Sequence, residues 1–101
     1  LLTEKEITEL LIRSDHAVER GVVAIYRRQT EAEKNRPVDL EHNKIGFNSF
    51  DAQRGTYWAK WILSGRKLTK YHLKKARRMI IKYRLQLLDI ALTKGKEDGD
   101  N

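Results

Sequence analysis

Residues 68–93 read LTKYHLKKARRMIIKYRLQLLDIALT, and the fold is legible from this stretch outward. Thr69 stands where a side-chain oxygen can cap free backbone N–H groups, and Leu68 and Leu73 flank it at the spacing of a hydrophobic staple. At about 100° per residue, Leu73, Ala76, Ile80, Tyr83, Leu87 and Ala91 fall on one apolar stripe, the core face of a helix. Lys74, Lys75, Arg78 and Lys82 fall on another face. Arg77 and Arg84 sit at the border, where their stems can cover apolar surface while the guanidinium groups stay wet. Neither Pro nor Gly interrupts the run before Gly95. The pattern predicts one long basic helix over 70–93.

Upstream, a helix over about 51–64 carries Ala52, Tyr57, Trp58, Trp61 and Ile62 and stops at Gly65, a residue suited to the C′ position. Ser14 or Asp15 can cap another, in which Val18, Val22, Ile25 and Gln29 recur near 3.6-residue spacing, with Ala17, Gly21 and Tyr26 flanking them, up to about residue 34. Gly21 costs a helix about 1 kcal/mol relative to Ala, so a close helix contact is expected there. Thr3 and Glu6 have capping-box spacing and start a first helix over about 4–12. Between residues 35 and 50 the periodicity lapses around Pro37, the sole proline, and Gly46. The expectation is an all-α compact bundle of about four helices, with a long basic C-terminal helix and a long loop near residues 35–50. Residues 1–93 form a single helical domain and 94–101, rich in Gly, Lys and Asp, a disordered tail.

The 101 residues are 40% hydrophobic and 35% charged, which suits one small domain with a single core. No apolar run approaches the roughly 18 to 20 residues that span a bilayer, and Leu1, Leu2 and Glu4 do not resemble a signal peptide, so a cytoplasmic protein is expected. Cysteine is absent, which excludes disulfides, thiolate metal sites and Cys nucleophiles. The net charge of +7 is regional: residues 1–51 carry 10 acids and 8 bases, residues 52–88 carry 11 bases and no acid, and the remainder has four acids and two lysines. Ordinary solvated helices intersperse signs to gain i,i+4 pairs; this stretch forgoes them.

No arrangement for catalysis emerges. His16, His42 and His72 lie on different segments without metal-ligand spacing, Asp15 and Glu19 are better read as a cap and a solvated helix residue, and Gly46 stands without a phosphate-binding loop. The reading is of a non-enzyme with no metal and no cofactor. Arg66, Lys67, Lys70, Lys74, Lys75, Arg78 and Lys82 can instead neutralise phosphates and release counterions, with Arg77 and Arg84 as second choices. Among the aromatic residues, Trp58, Trp61 and Tyr83 have core spacing, whereas Tyr71 beside Lys74, Lys75 and Arg78 is the candidate for stacking on a base. Ile81 and Leu85 lie off the main stripe. They pack under the first helix or form a homodimer surface.

The order Asn43-Lys44-Ile45-Gly46-Phe47, Asp51-Ala52, Gly65, Leu68-Thr69, Leu73, Ala76-Arg77, Lys82-Tyr83, Gln86-Leu87 and Ile90-Ala91 resembles a small helical module of bacteriophage and mobile-element proteins, some of them helicase-associated. The resemblance covers residues 43–91, about half the chain. Where such modules often read Leu-Thr-Pro before the last helix, this chain has Leu68-Thr69-Lys70; proline at the first helical position is favourable but dispensable. The resemblance implies a setting in DNA metabolism, DNA rather than RNA as the nucleic acid, and a helicase among the partners, and it implies no catalysis. The residues also have a structural reading: Gly46 supplies a positive φ, Phe47 anchors the loop and Asp51 caps the helix that follows. Nucleic-acid binding is the leading expectation. The alternative is a phage-encoded inhibitor or adaptor that docks its basic helix on an acidic protein surface. A membrane-surface role is disfavoured because the apolar face of the basic helix is committed to a core.

Overall fold

Val18, Val22 and Ile25 are fully excluded from solvent, and the helix that carries them is the centre of the protein. The computed structural model describes residues 2–35 and 45–99. Its five helices are α1 (Glu4–Arg13), α2 (Asp15–Asn35), α3 (Ala52–Leu63), α4 (Lys70–Ile81) and α5 (Arg84–Gly99), and no strand occurs among the described residues. α1, α3, α4 and α5 all pack on α2. Gly21 permits this crowding: a Cβ there would stand 3.1 Å from Ile80 and 3.3 Å from Leu87, so a bulkier residue would push α4 and α5 away. Around it lie Ile7, Leu11, Trp58, Ala76, Met79, Ile80 and Leu87. Each large apolar side chain so buried contributes about 1.5–3 kcal/mol.

The helix ends follow the expected chemistry with two exchanges of partner. Thr3 Oγ1 accepts from the Glu6 N–H at 3.2 Å, and Thr69 Oγ1 accepts from the His72 N–H at 3.3 Å. Ser14 closes α1 through its own N–H and opens α2 through its Oγ, which accepts from the Ala17 N–H at 3.1 Å. Asp15 is therefore not needed as a cap. It pairs with Arg77 at 2.5 Å, and Arg77 Nε also donates to the Leu11 carbonyl at 2.8 Å. Glu19, expected on a solvated face, is half-buried, and its Oε2 accepts from the Leu68 N–H at 2.8 Å. This bond fixes the turn between α3 and α4, where Gly65 adopts φ +93°.

The continuous helix expected over 70–93 is broken at Lys82 and Tyr83, so the bundle has five helices rather than four. No glycine or proline causes the break. Lys82 and Tyr83 donate their N–H groups to Met79 and Ile80, three residues back, which tightens the last turn of α4. Arg84 then turns back to donate to the Ile81 carbonyl at 3.2 Å and pairs with Glu4 at 2.7 Å. The apolar stripe runs through the break, since Ala76, Ile80, Tyr83 and Leu87 are all buried. Beyond it α5 continues to Gly99, past the position at which the sequence reading begins a disordered tail; residues 100 and 101 lie outside the described residues.

The break meets residues 45–51, which precede α3; residues 36–44 are outside the described residues. Gly46, at φ +83°, donates to Gln86 Oε1 at 2.9 Å and accepts from Gln86 Nε2 at 3.0 Å, while the Phe47 N–H donates to Gln29 Oε1 at 3.0 Å. Phe47 is buried with its ring edge-on to Tyr83 at 5.4 Å. Asp51 does not cap α3 with its side chain. Its buried Oδ2 accepts from the Tyr83 hydroxyl at 2.7 Å and from Lys82 Nζ at 2.8 Å, and the Tyr83 hydroxyl accepts from the Asn48 N–H at 3.0 Å. Lys82 and Tyr83 are both bonded through their side chains to the residues that precede α3. Gly46, Phe47, Asp51, Lys82, Tyr83 and Gln86, scattered through the resemblance, thus converge on one structural clamp.

Burial raises the Tyr83 hydroxyl above its ordinary value of 10.0, and the hydrogen bond to Asp51 and the charge of that carboxylate raise it further against the opposing Asn48 N–H. The unfolded chain releases this proton near pH 10 while the native protein keeps it, so stability is lost as pH rises above 10. Denaturant titrations of the wild type and Tyr83→Phe across pH 9 to 12, a range of about three units around the ordinary tyrosine value, are expected to diverge. The wild type should lose stability relative to the variant above about pH 10; parallel curves would contradict the clamp.

Candidate nucleic-acid interface

The eleven cations of residues 52–88 divide into two groups once the fold brings the acidic N-terminal half against them. Arg77, Lys82 and Arg84 meet Asp15, Asp51 and Glu4. Arg54, Lys60, Arg66, Lys67, Lys70, Lys74, Lys75 and Arg78 are exposed, and none makes a salt bridge to a described carboxylate. Six of the seven cations assigned to phosphate contact belong to this second group. Lys82 is the exception: its ammonium is held by Asp51, although over half of its side chain remains exposed. Arg77 and Arg84, the second choices, are committed to pairing.

α3, the turn over 64–69 and α4 form a hairpin packed on α2, its two arms touching in reversed chain order. The order is fixed by nested contacts: Trp61 Nε1 donates to the Lys67 carbonyl at 3.0 Å, Trp58 Nε1 to His72 Nδ1 at 3.4 Å, and Lys82 reaches Asp51. Trp58 is 2% exposed and belongs to the core. Its spacing partner Trp61 is half-buried and lies on the surface of the hairpin, stacked against Tyr57 with ring centroids 6.3 Å apart and planes 27° from parallel. The Arg66 guanidinium lies 4.5 Å from the Trp61 ring centroid.

On α4, Tyr71 is 63% exposed, with the Lys75 ammonium 4.4 Å from its ring centroid and the His72 ring edge-on at 5.3 Å. Lys75, through hydrogen bonding and through its charge, pulls the Tyr71 hydroxyl below its ordinary value, and the charge of Arg54 acts in the same direction. Arg54 lies one turn from Tyr57 on α3 and 5.8 Å over the Trp58 ring. Trp58 in turn abuts the His72 ring of α4, with centroids 6.3 Å apart. Cation–π contacts of this kind favour a positive group over a ring face.

Tyr71, Lys75, Arg78 and Lys82 follow one another at i, i+4, i+7 and i+11 along α4 and the tight turn that ends it, with Lys74 beside them. Arg66, Lys67 and Lys70 surround the start of α4. These are the residues that the sequence offers for phosphate contact and stacking; Arg54, Tyr57 and Trp61 are not among them. The signal was present as Arg54-Tyr57-Trp61 at i, i+3 and i+7, but aromatic residues at helical spacing ordinarily mean core, and Trp58 supplies that core instead. Ile81 is half-buried against the core and Leu85 is exposed.

Among the described residues no group of His, Asp and Glu could hold a metal ion, and no helix is long and apolar enough to cross a membrane. Comparison with known proteins finds no family model, curated protein or solved structure that matches this chain.

Proposed function

We propose that this protein is a non-catalytic nucleic-acid-binding module that grips the phosphate backbone with α4 and the turn before it, in the DNA metabolism of a phage or mobile element. One observation carries the proposal: Arg66, Lys67, Lys70, Lys74, Lys75 and Arg78 are exposed on one helix and its approach without a salt bridge to a described acid, while the acids of the N-terminal half meet other cations. Uncompensated charge of this density costs self-repulsion in the free protein and is relieved when phosphates replace condensed counterions. The residues resembling the phage module support the setting and, being spent on the loop clamp, assign it no chemistry.

The test is fluorescence anisotropy with labelled DNA and RNA, single-stranded and duplex, over a salt series from about 0.05 to 0.3 M. Six phosphate contacts predict a linear fall of log K with log salt, of slope about −4 on a single strand and about −5 on a duplex. Absence of binding at the lowest salt would overturn the proposal and direct attention to an acidic protein partner.

A further inference from the structure

Phosphate contacts alone explain the lysines and arginines of α4, but not the aromatic surface beside them. Tyr57 and Tyr71 are 58% and 63% exposed, whereas Trp58 and Tyr83 are buried. Each belongs to a contact chain that ends in a cation: Tyr57 on Trp61 on Arg66, and Tyr71 under Lys75. The two helices meet through Trp58, whose ring lies 6.3 Å from that of His72 and under the Arg54 guanidinium. The hairpin therefore offers two exposed ring faces interleaved with positive charge, on a stretch of chain that has no acid from residue 52 to 88.

We infer that the ligand is an unpaired nucleic-acid strand, whose bases stack on Tyr57 and Tyr71 while Arg54, Arg66, Lys75 and Arg78 hold its phosphates. This rests on the nucleic-acid reading above and names its substrate class. In a duplex every base face is already stacked on its neighbours, so a duplex leaves Tyr57 and Tyr71 without a partner and uses only the cations. An unpaired strand uses both. Aromatic platforms along a basic groove bind single strands with little sequence preference, because every base has a face to stack. The rings are braced for this role: Trp61 is fixed by its bond to the Lys67 carbonyl, and His72, which abuts Tyr71, accepts from the buried Trp58.

The experiment uses the full chain with a labelled DNA strand of about 20 nucleotides, the RNA strand of the same sequence, the DNA duplex, and the DNA strand with several bases replaced by abasic sites. A single strand is expected to bind at least about tenfold tighter than the duplex, and the abasic strand to lose most of that advantage, since it keeps the phosphates and lacks the faces. Tighter binding of DNA or of RNA identifies which source supplies the strand. Tyr57→Ala and Tyr71→Ala should each weaken single-strand binding about five- to 150-fold and leave duplex binding and the salt slope unchanged, whereas Tyr57→Phe and Tyr71→Phe should bind as the wild type does. Duplex binding equal to or tighter than strand binding, or full affinity for the abasic strand, would overturn this inference and leave the phosphate-binding proposal standing. No binding to any of the four would overturn both.

Discussion

Gly46→Ala is expected to cost about 3 to 5 kcal/mol of stability, from backbone strain at positive φ and overpacking together. Gly46 adopts φ +83°, and a Cβ added there would strike Gln29, coming within 2.9 Å of both its Cα and its Cγ. The Cα belongs to the backbone of α2 and cannot yield. The loop would have to lift, breaking the paired bonds to Gln86 and drawing Phe47 from its place against Tyr83. Gly65→Ala is the matched control: φ is +93° there, but nothing lies within 4 Å of the added atom, so only the conformational cost of about 1 to 2 kcal/mol applies. Urea unfolding of the two variants separates the clash from the strain. A Gly46→Ala loss no larger than that of Gly65→Ala would show that the loop does not seat on α2 as described.

The second large effect falls on binding. Simultaneous Lys74→Glu, Lys75→Glu and Arg78→Glu should reduce nucleic-acid affinity on the order of 100- to 500-fold at about 0.1 M salt, because three contacts removed each forfeit about 0.7 to 0.9 of a logarithmic unit per decade of salt. The reversed charges add repulsion to that loss. The salt slope should become shallower by about two to three. All three side chains are exposed and none makes a salt bridge to a described residue, so thermal unfolding should be little changed. Unchanged affinity in a folded triple variant would remove α4 from the interface. The same exchange at Arg77 would be uninformative, since losing its bonds to Asp15 and the Leu11 carbonyl damages the junction of α1, α2 and α4.

The two effects fall on different parts of the fold, the seat of Gly46 against α2 and α5 and the exposed cations of α4. Lys82 lies at their meeting point, on the basic row by register and on the loop clamp by its bond to Asp51. Its charge compensates a buried carboxylate, so on the proposed interface it would contribute less to a phosphate than Lys75 or Arg78, which make no salt bridge to a described acid.

The amino-acid sequence by itself determined that the fold is all helical and where several of the helices are capped, because both depend on local chemistry. Apolar spacing placed Val18, Val22 and Ile25 of α2 and Ala76, Ile80 and Leu87 of the basic stretch in the core; Thr3, Ser14 and Thr69 supply side-chain oxygens within reach of the next turn; Gly65 adopts the conformation that ends α3. It also determined that positive charge gathers between residues 52 and 88. Only the tertiary structure decided which of those charges remain uncompensated. Arg77, Lys82 and Arg84 belong to the same basic stretch as Lys74, Lys75 and Arg78, and differ from them by pairing with the acids at residues 15, 51 and 4. The break at Lys82 and Tyr83 is likewise invisible locally, since neither residue is a glycine or proline; it coincides with bonds to a buried carboxylate 31 residues away in sequence. Exposure of Tyr57 beside the buried Trp58 has the same origin, because a helix offers both rings at neighbouring positions and only the placement of α2 selects which one is covered.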